Sequence, residues 1–429
     1  MGCSARHAGG ASVRVLVVID KLTRAGTQRH VVQLVQRLDR SLFEPSVLCL
    51  EGGGPLKDEV ESLGIPVSVL EIRNWRSARG LAGLATIARE VRARRPAIVH
   101  SYLFTANVLV PPIARVLGVP VVITSRRDLG DWRRPHHVWL NRFANGFTDL
   151  VLANSLAVRR VVLRAERLPE ERLAVVHNGI GDAGGVDGGN RHRARWGLPG
   201  DALVVGSVGN LRGEKDPMTL LRAFASVATT FPEAQLVFAG RTKDTLLAGR
   251  LIDLVRERGL ATRVHFLGSV DDVPGLLSAL DVYASTSITE GFSNAILEAM
   301  RAGLPVVASD AGGNAEQVVH QKTGLVFPVR DHERCAEALR DLLADPRRRA
   351  AFGAAGRVRQ REFFLDLTMA RKFEAVYGQL LVGKARKAHL SEPVLERLAE
   401  KGRHVSPRSP VCTNPDFSAH VDLPAVPVE

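Results

Sequence analysis

Short apolar runs rich in β-branched residues alternate with helix-patterned segments along most of this chain, and the series occurs twice. The first set of runs is Val13–Ile19, Ser46–Leu50, Val67–Leu70, Ile98–His100, Val119–Thr124, Leu150–Ala153 and Leu173–Val176. The second set is Leu203–Val208, Gln235–Ala239, Val264–Leu267, Val282–Ser285, Pro305–Ala308 and Leu325–Phe327. Nearly continuous apolar strands with helices between them imply a parallel sheet covered on both faces. The expected fold is therefore α/β, with two doubly wound domains at 13–182 and 190–365. The glycine-rich stretch GDAGGVDGGN joins them as a linker. Residues 1–12 read as a flexible N-terminus. A helix at 366–382 packs on one domain or bridges both, and 383–429, with SPRSP and PAVPVE, reads as a mostly disordered tail.

Charge narrows the partners without choosing among them. The 429 residues carry 58 Lys and Arg against 45 Asp and Glu, a net charge of +13. Nucleic acid, anionic lipid headgroups and diphosphate substrates all suit such a surface. Aromatic residues make up only 5% and are not interleaved with basic clusters, which argues against stacking on bases and so against nucleic acid. Cys3, Cys49, Cys335 and Cys412 are isolated, with no metal-ligand spacing, as expected of a reducing compartment. The low-charge stretch Pro96–Ala114 is interrupted by His100, Asn107 and Pro111-Pro112, so it falls short of the ~20 apolar residues of a spanning helix. The expectation is a cytoplasmic protein, able to touch the inner face of a membrane through Arg133, Arg134, His136 and His137. Arg92, Arg94 and Arg95 read as cations closing a helix.

The densest chemistry lies at Glu290-Gly291-Phe292-Ser293-Asn294-Ala295-Ile296-Leu297-Glu298, after a strand and opening a helix. Ser293 and Asn294 are N-cap residue types. A helix start with free amides is an anion site. Glu290, ahead of that start, suits sugar hydroxyls rather than phosphate. Glu298 suits ribose hydroxyls if its face looks into the cleft; otherwise both are solvated surface acids.

This segment, with the following EAMRAGLPVVASDAGGNAE, FLGSVDDV, ALDVYASTS and TGLVFP, resembles the retaining group 1 glycosyltransferases of GT-B fold. The resemblance is strongest over about Arg263 to Val329 and extends more weakly over Val13 to Tyr377. It implies two Rossmann-like domains facing a cleft, with acceptor on the first and nucleotide diphosphate sugar on the second. It also implies retention by front-face attack. Glu290 then positions the donor sugar without a covalent bond, and the leaving phosphate helps to deprotonate the acceptor. Gly291, Phe292, Ser293, Asn294 and Glu298 would hold the donor. In the family an arginine after the glycine of the Val208–Asp216 loop and a lysine five residues later grip the diphosphate. Lys215 matches the lysine, Asn210 stands at the arginine's place, and Arg212 is offered as its substitute. Gly26 matches one glycine of the donor loop, where Ala25 replaces the other, and Gln28 falls where relatives touch acceptor. Val270, Asp271 and Asp272 match the base pocket. Arg126 stands where many relatives have a histidine touching the transferred sugar. With Arg127 and Asp128 it either binds an anionic acceptor or forms a local ion pair, and His100 either lines the acceptor cleft or packs at a strand end. No metal or cofactor is implied.

The favoured reading is a transferase moving a hexosyl-type sugar to a lipid-linked, polysaccharide or small-molecule hydroxyl. A sugar epimerase or phosphorylase of the same fold would need further acid/base residues or a pyridoxal lysine. A non-catalytic basic binding protein for nucleic acid or an anionic surface would need no such arrangement of Glu290, Lys215 and Glu298.

Overall fold

The computed structural model describes residues 12–72, 78–182, 193–388 and 390–403. Seven strands form the first sheet: β1 Val13–Ile19, β2 Phe43–Cys49, β3 Val67–Val69, β4 Ile98–Tyr102, β5 Val121–Arg126, β6 Leu150–Ala153 and β7 Leu173–Val175. Six form the second: β8 Leu203–Val208, β9 Ala234–Ala239, β10 Val264–Gly268, β11 Val282–Ser285, β12 Val306–Ser309 and β13 Gly324–Phe327. The orders are β3-β2-β1-β4-β5-β6-β7 and β10-β9-β8-β11-β12-β13. Every neighbouring pair within each sheet is parallel. Each sheet reverses its winding once, at β1/β4 and at β8/β11, and such a point opens a crevice beyond the carboxyl ends of the strands.

The alternation of side chains along a strand explains why these runs are apolar throughout. Val13, Val15, Val17 and Ile19 of β1 enter one core cluster while Leu16 and Val18 enter another. In β8, Val205 and Val204 divide in the same way. Both faces of the central strands are buried, so no polar face remains there to leave a period-two pattern. The stretch from Pro96 contains strand β4 and the helix Phe104–Val116, broken at Leu103, whose φ of +69° ends the strand abruptly. No helix of the described residues is long and apolar enough to cross a membrane.

The chain crosses between domains twice, side by side. Ile180 and Leu365 form a parallel bridge, with Ile180 N donating to Phe364 O at 2.9 Å. A Cβ on Gly179 would stand 2.3 Å from the Leu365 carbonyl, so this approach requires glycine. After the second crossing, the helix Asp366–Val382 lies on the first domain, where Met369, Phe373, Tyr377 and Leu381 join the core containing β1. The reading of everything after 383 as disordered is corrected for the described part. Helices Ala385–Ala388 and Glu392–Arg403 follow, and Val394 and Leu398 are buried in the same core. Charged residues and Pro393 surround Val394 and Leu398 there and hide their spacing, which puts both on one helix face. The N-terminal residues 1–11, the linker residues 183–192 and the SPRSP and PAVPVE segments lie outside the described residues.

Candidate active site

The second domain builds its side of the crevice from three loops at the carboxyl ends of β8, β9 and β11. Gly209 and Gly240 have φ of +145° and +153°, and a Cβ on Gly240 would lie 2.0 Å from the Gly209 carbonyl. The loop that follows therefore seats directly on its neighbour. Leu211 N donates to Arg241 O at 2.9 Å, and a short 3-10 turn, Gly213–Lys215, carries the lysine. Asp216 ends that turn in the left-handed region and caps the helix Pro217–Thr230, accepting from Thr219 N at 3.2 Å and from Thr219 Oγ1 at 2.6 Å. The loop after β11 is stitched to this one. Ile288 N donates to Glu214 O at 2.7 Å, and Thr286 Oγ1 donates to Lys215 O and Asp216 O at 3.1 and 2.8 Å. The result is direct contact between Lys215 Nζ and Glu290 Oε2, with Ser287 Oγ 3.4 Å from the same oxygen. Arg212 is exposed on the same loop.

Glu290 leads into a glycine that the first domain nearly touches. A Cβ on Gly291 would lie 2.3 Å from the Arg127 carbonyl, and one on Gly312 would lie 2.1 Å from the Glu290 carbonyl. Phe292 is buried between His177 and Phe364, at ring separations of 4.9 and 5.4 Å. Ser293 caps the helix Asn294–Arg301 by accepting from Ile296 N, while the Gln317 amide grips both Ser293 backbone groups at 2.9 and 2.7 Å. Asn294 then spans the crevice: its Oδ1 accepts from Asn178 Nδ2 at 2.7 Å and its Nδ2 donates to Gly26 O at 3.4 Å. Gly26 opens the helix Gly26–Arg37, whose N-terminus has no side-chain cap and no acid in its first turn. Two helix starts therefore face each other across the crevice.

Glu298 lies one turn down its helix, and burial pushes its carboxyl up against the opposing pull of Arg301 and Arg29. Tyr283 donates to Val208 O at 3.4 Å. Burial, with the charges of Glu298 and Glu290, pushes its hydroxyl above the usual tyrosine range. Asp272 caps the helix Val273–Ser278 and pairs with Arg195 at 2.6 Å. Asp271 is exposed and meets Arg24 of the first domain at 3.6 Å, and Val270 packs at the edge of the core below. Gln28 is buried on the first helix, 8% exposed.

Of the alternatives left open for Arg126 and His100, the local ion pair and the packed histidine hold, and the acceptor-binding readings are corrected. Arg126 does not face the crevice. It is 2% exposed, and its Nε and one Nη donate to the two Glu166 oxygens at 2.9 Å each, with Asn145 Oδ1 at 3.0 Å. Arg126 is the last residue of β5 and its charge is spent on Glu166, whereas Arg127 follows the strand and reaches Asn178. His100 is fully buried, held between Tyr377 Oη and Ser125 Oγ at 2.8 Å each, and packs on Phe373.

Sequence reasoning passed over two groups here. Glu316, within GGNAE, reaches from the second domain to the start of the first domain's helix Leu156–Glu166, accepting from Leu156 N and Ala157 N at 2.9 Å each and contacting His177 Nε2 at 2.9 Å. No local pattern marks an acceptor supplied from 160 residues away. Asp20, at the end of β1, accepts from Ala106 N at 2.8 Å and Thr105 N at 3.3 Å. Burial pushes its carboxyl up to about 7; those amides pull the other way and nearby Glu51 adds to the rise. A single aspartate after a strand carries no spacing that would single it out.

Comparison with known proteins agrees with this geometry. Residues 190–359 match the family model for glycosyl transferases group 1, and residues 24–183 match that for glycosyltransferase family 4. The chain belongs to the group 1 glycosyltransferases. An Escherichia coli UDP-Gal:alpha-D-GlcNAc-diphosphoundecaprenol alpha-1,3-galactosyltransferase is 24% identical over 73% of this chain and 84% of its own. A D-inositol 3-phosphate glycosyltransferase of Thermobispora bispora is 26% identical over 90% of this chain and 92% of its own. Among solved structures, Anabaena HepE in complex with UDP and glucose superposes with a TM-score of 0.77 at 22% identity, covering 86% of this chain and all of that one. The glycosyltransferase thus has the two-domain GT-B fold.

Proposed function

We propose that this glycosyltransferase moves a hexosyl-type sugar from a nucleotide diphosphate donor to a hydroxyl of a glycan, a lipid-linked sugar or a small molecule, with retention at the anomeric carbon. The observation that carries the proposal is the Lys215–Glu290 contact, set beside two opposed helix starts. Negative charge builds on the diphosphate as the glycosidic bond breaks, and fixed cations and amides act most strongly on charge that develops in the transition state. Lys215 and Arg212 supply the cations, and the amides at Asn294 supply the dipole. Glu290, held by Lys215, orients the sugar hydroxyls; Glu298 takes the ribose, and Val270, Asp271 and Asp272 border the base. Gly26 admits the phosphates and Gln28 faces the acceptor. The relatives support this reading through their names: one uses a UDP-sugar on a diphospholipid, and the structural neighbour was solved with UDP and glucose.

The acceptor side is proposed to meet an anionic membrane. On the helix Pro135–Asn145, Trp139 and Phe143 stack and are 61% and 52% exposed, beside exposed Arg134 and Arg142. Aromatic rings with cations around them suit the interface of acidic lipids.

The test incubates the protein with UDP-, GDP- and ADP-sugars and an acceptor extract, and follows nucleoside diphosphate release and the anomeric configuration of the product by NMR. Release with a retained configuration is expected. An inverted product refutes retention, and silence across the panel refutes transfer from these donors.

A further inference from the structure

Arg127 is a crevice guanidinium with no counter-charge. One Nη donates to Asn178 Oδ1, and its Nε is inaccessible and unpartnered. Among the described residues no carboxylate pairs with it. Arg126 and Arg133 share Glu166, Asp128 is taken by Arg133, and Glu290 by Lys215. Burial draws the Arg127 guanidinium down to about 10, still charged at neutral pH. Burial also holds the adjacent His30 and His100 well below the usual imidazole range, and the Arg127 charge adds to that effect. A part-buried cation with no counter-charge is costly to keep.

Its surroundings are positive from several directions. The helix starting at Gly26 is uncapped, and the one starting at Asn294 has no acid in its first turn. Asn178 ties the Arg127 side chain to Asn294, while the Arg127 carbonyl abuts Gly291, next to Glu290. An anion held between the two helix starts would complete this arrangement.

We propose that Arg127 is a phosphate ligand contributed by the first domain, binding the donor's diphosphate opposite Lys215. This deepens the proposed function and rests on it. Its consequence is that both domains grip the leaving group, so donor binding draws the crevice closed.

The experiment titrates the full chain, wild type, Arg127→Gln, Arg127→Lys and Lys215→Ala, with UDP, GDP, ADP, inorganic pyrophosphate and the corresponding nucleosides, and records apo melting temperatures. Arg127→Gln is expected to weaken the preferred nucleoside diphosphate and pyrophosphate about tenfold or more. Arg127→Lys should weaken them less, and nucleoside binding should not change. Without ligand, Arg127→Gln should melt no lower than wild type, since it removes an unpaired charge. Unchanged diphosphate affinity in both Arg127 variants, with Lys215→Ala impaired, overturns the inference and leaves the donor reading standing. A lowered apo melting temperature in both variants assigns Arg127 to structure and also overturns it. If no nucleoside diphosphate binds wild type, the donor reading fails and the inference with it.

Discussion

Gly291 and the Arg127 carbonyl meet across the crevice with no room for a methyl group. Gly291→Ala therefore forces backbone against backbone in the arrangement described, at a cost of about 1–3 kcal/mol. The expected result is a roughly tenfold to hundredfold fall in kcat/KM with the melting temperature lowered by a few degrees, measured by steady-state kinetics and calorimetry. Asp20 gives a prediction in pH. Its carboxyl titrates near 7 in the folded chain against 3.8 ordinarily, so the folded state holds a proton that the unfolded state loses first. That contribution to stability is complete below about pH 4 and is lost as pH rises through about 7. Asp20→Asn keeps an oxygen for the Ala106 amide and removes the titration. The variant should melt higher than wild type at pH 8 and show a flatter pH dependence between 4 and 7. Equal slopes for the two proteins would contradict this assignment.

At the scale of elements, the Leu156–Glu166 helix is capped locally by Ser155 and has its first two amides met by Glu316 of the other domain. Glu316→Ala strips two amides and His177 Nε2 of a buried acceptor, and should destabilise the protein by about 2–3 kcal/mol in urea titrations. Glu316→Gln should cost less, since its amide oxygen still serves one N–H. The central strands were legible because burial on both sheet faces makes them nearly continuous apolar runs, as in β1 and β12. The helix Phe104–Val116 was not, because Pro111 and Pro112 break its pattern where neither contributes an N–H. Glu290, Gly291 and Lys215 were legible as motif residues in ordered loops. The pairing of Arg126 was not, because its partner Glu166 lies 40 residues further along the chain.

Across the whole molecule, the chain ends its second domain and returns to finish the first. Leu398 is fully buried beneath the helix Asp366–Val382, where its carbonyl would lie 2.6 Å from a Cβ on Gly378. Leu398→Ala should cost about 2–5 kcal/mol, read as a shift in the denaturation midpoint, although the residue is remote in sequence from the first sheet. Composition concealed this return, since a proline- and lysine-bearing stretch reads as solvated until its apolar face is paired. The same return buries Val394 and Leu398 in the core that contains β1. The direct measurement is kcat and KM of Lys215→Ala with the nucleotide sugar that wild type turns over. A charge that acts chiefly on the departing diphosphate predicts kcat lower by about a hundredfold with KM changed only a few-fold; wild-type turnover in a folded Lys215→Ala protein would contradict it.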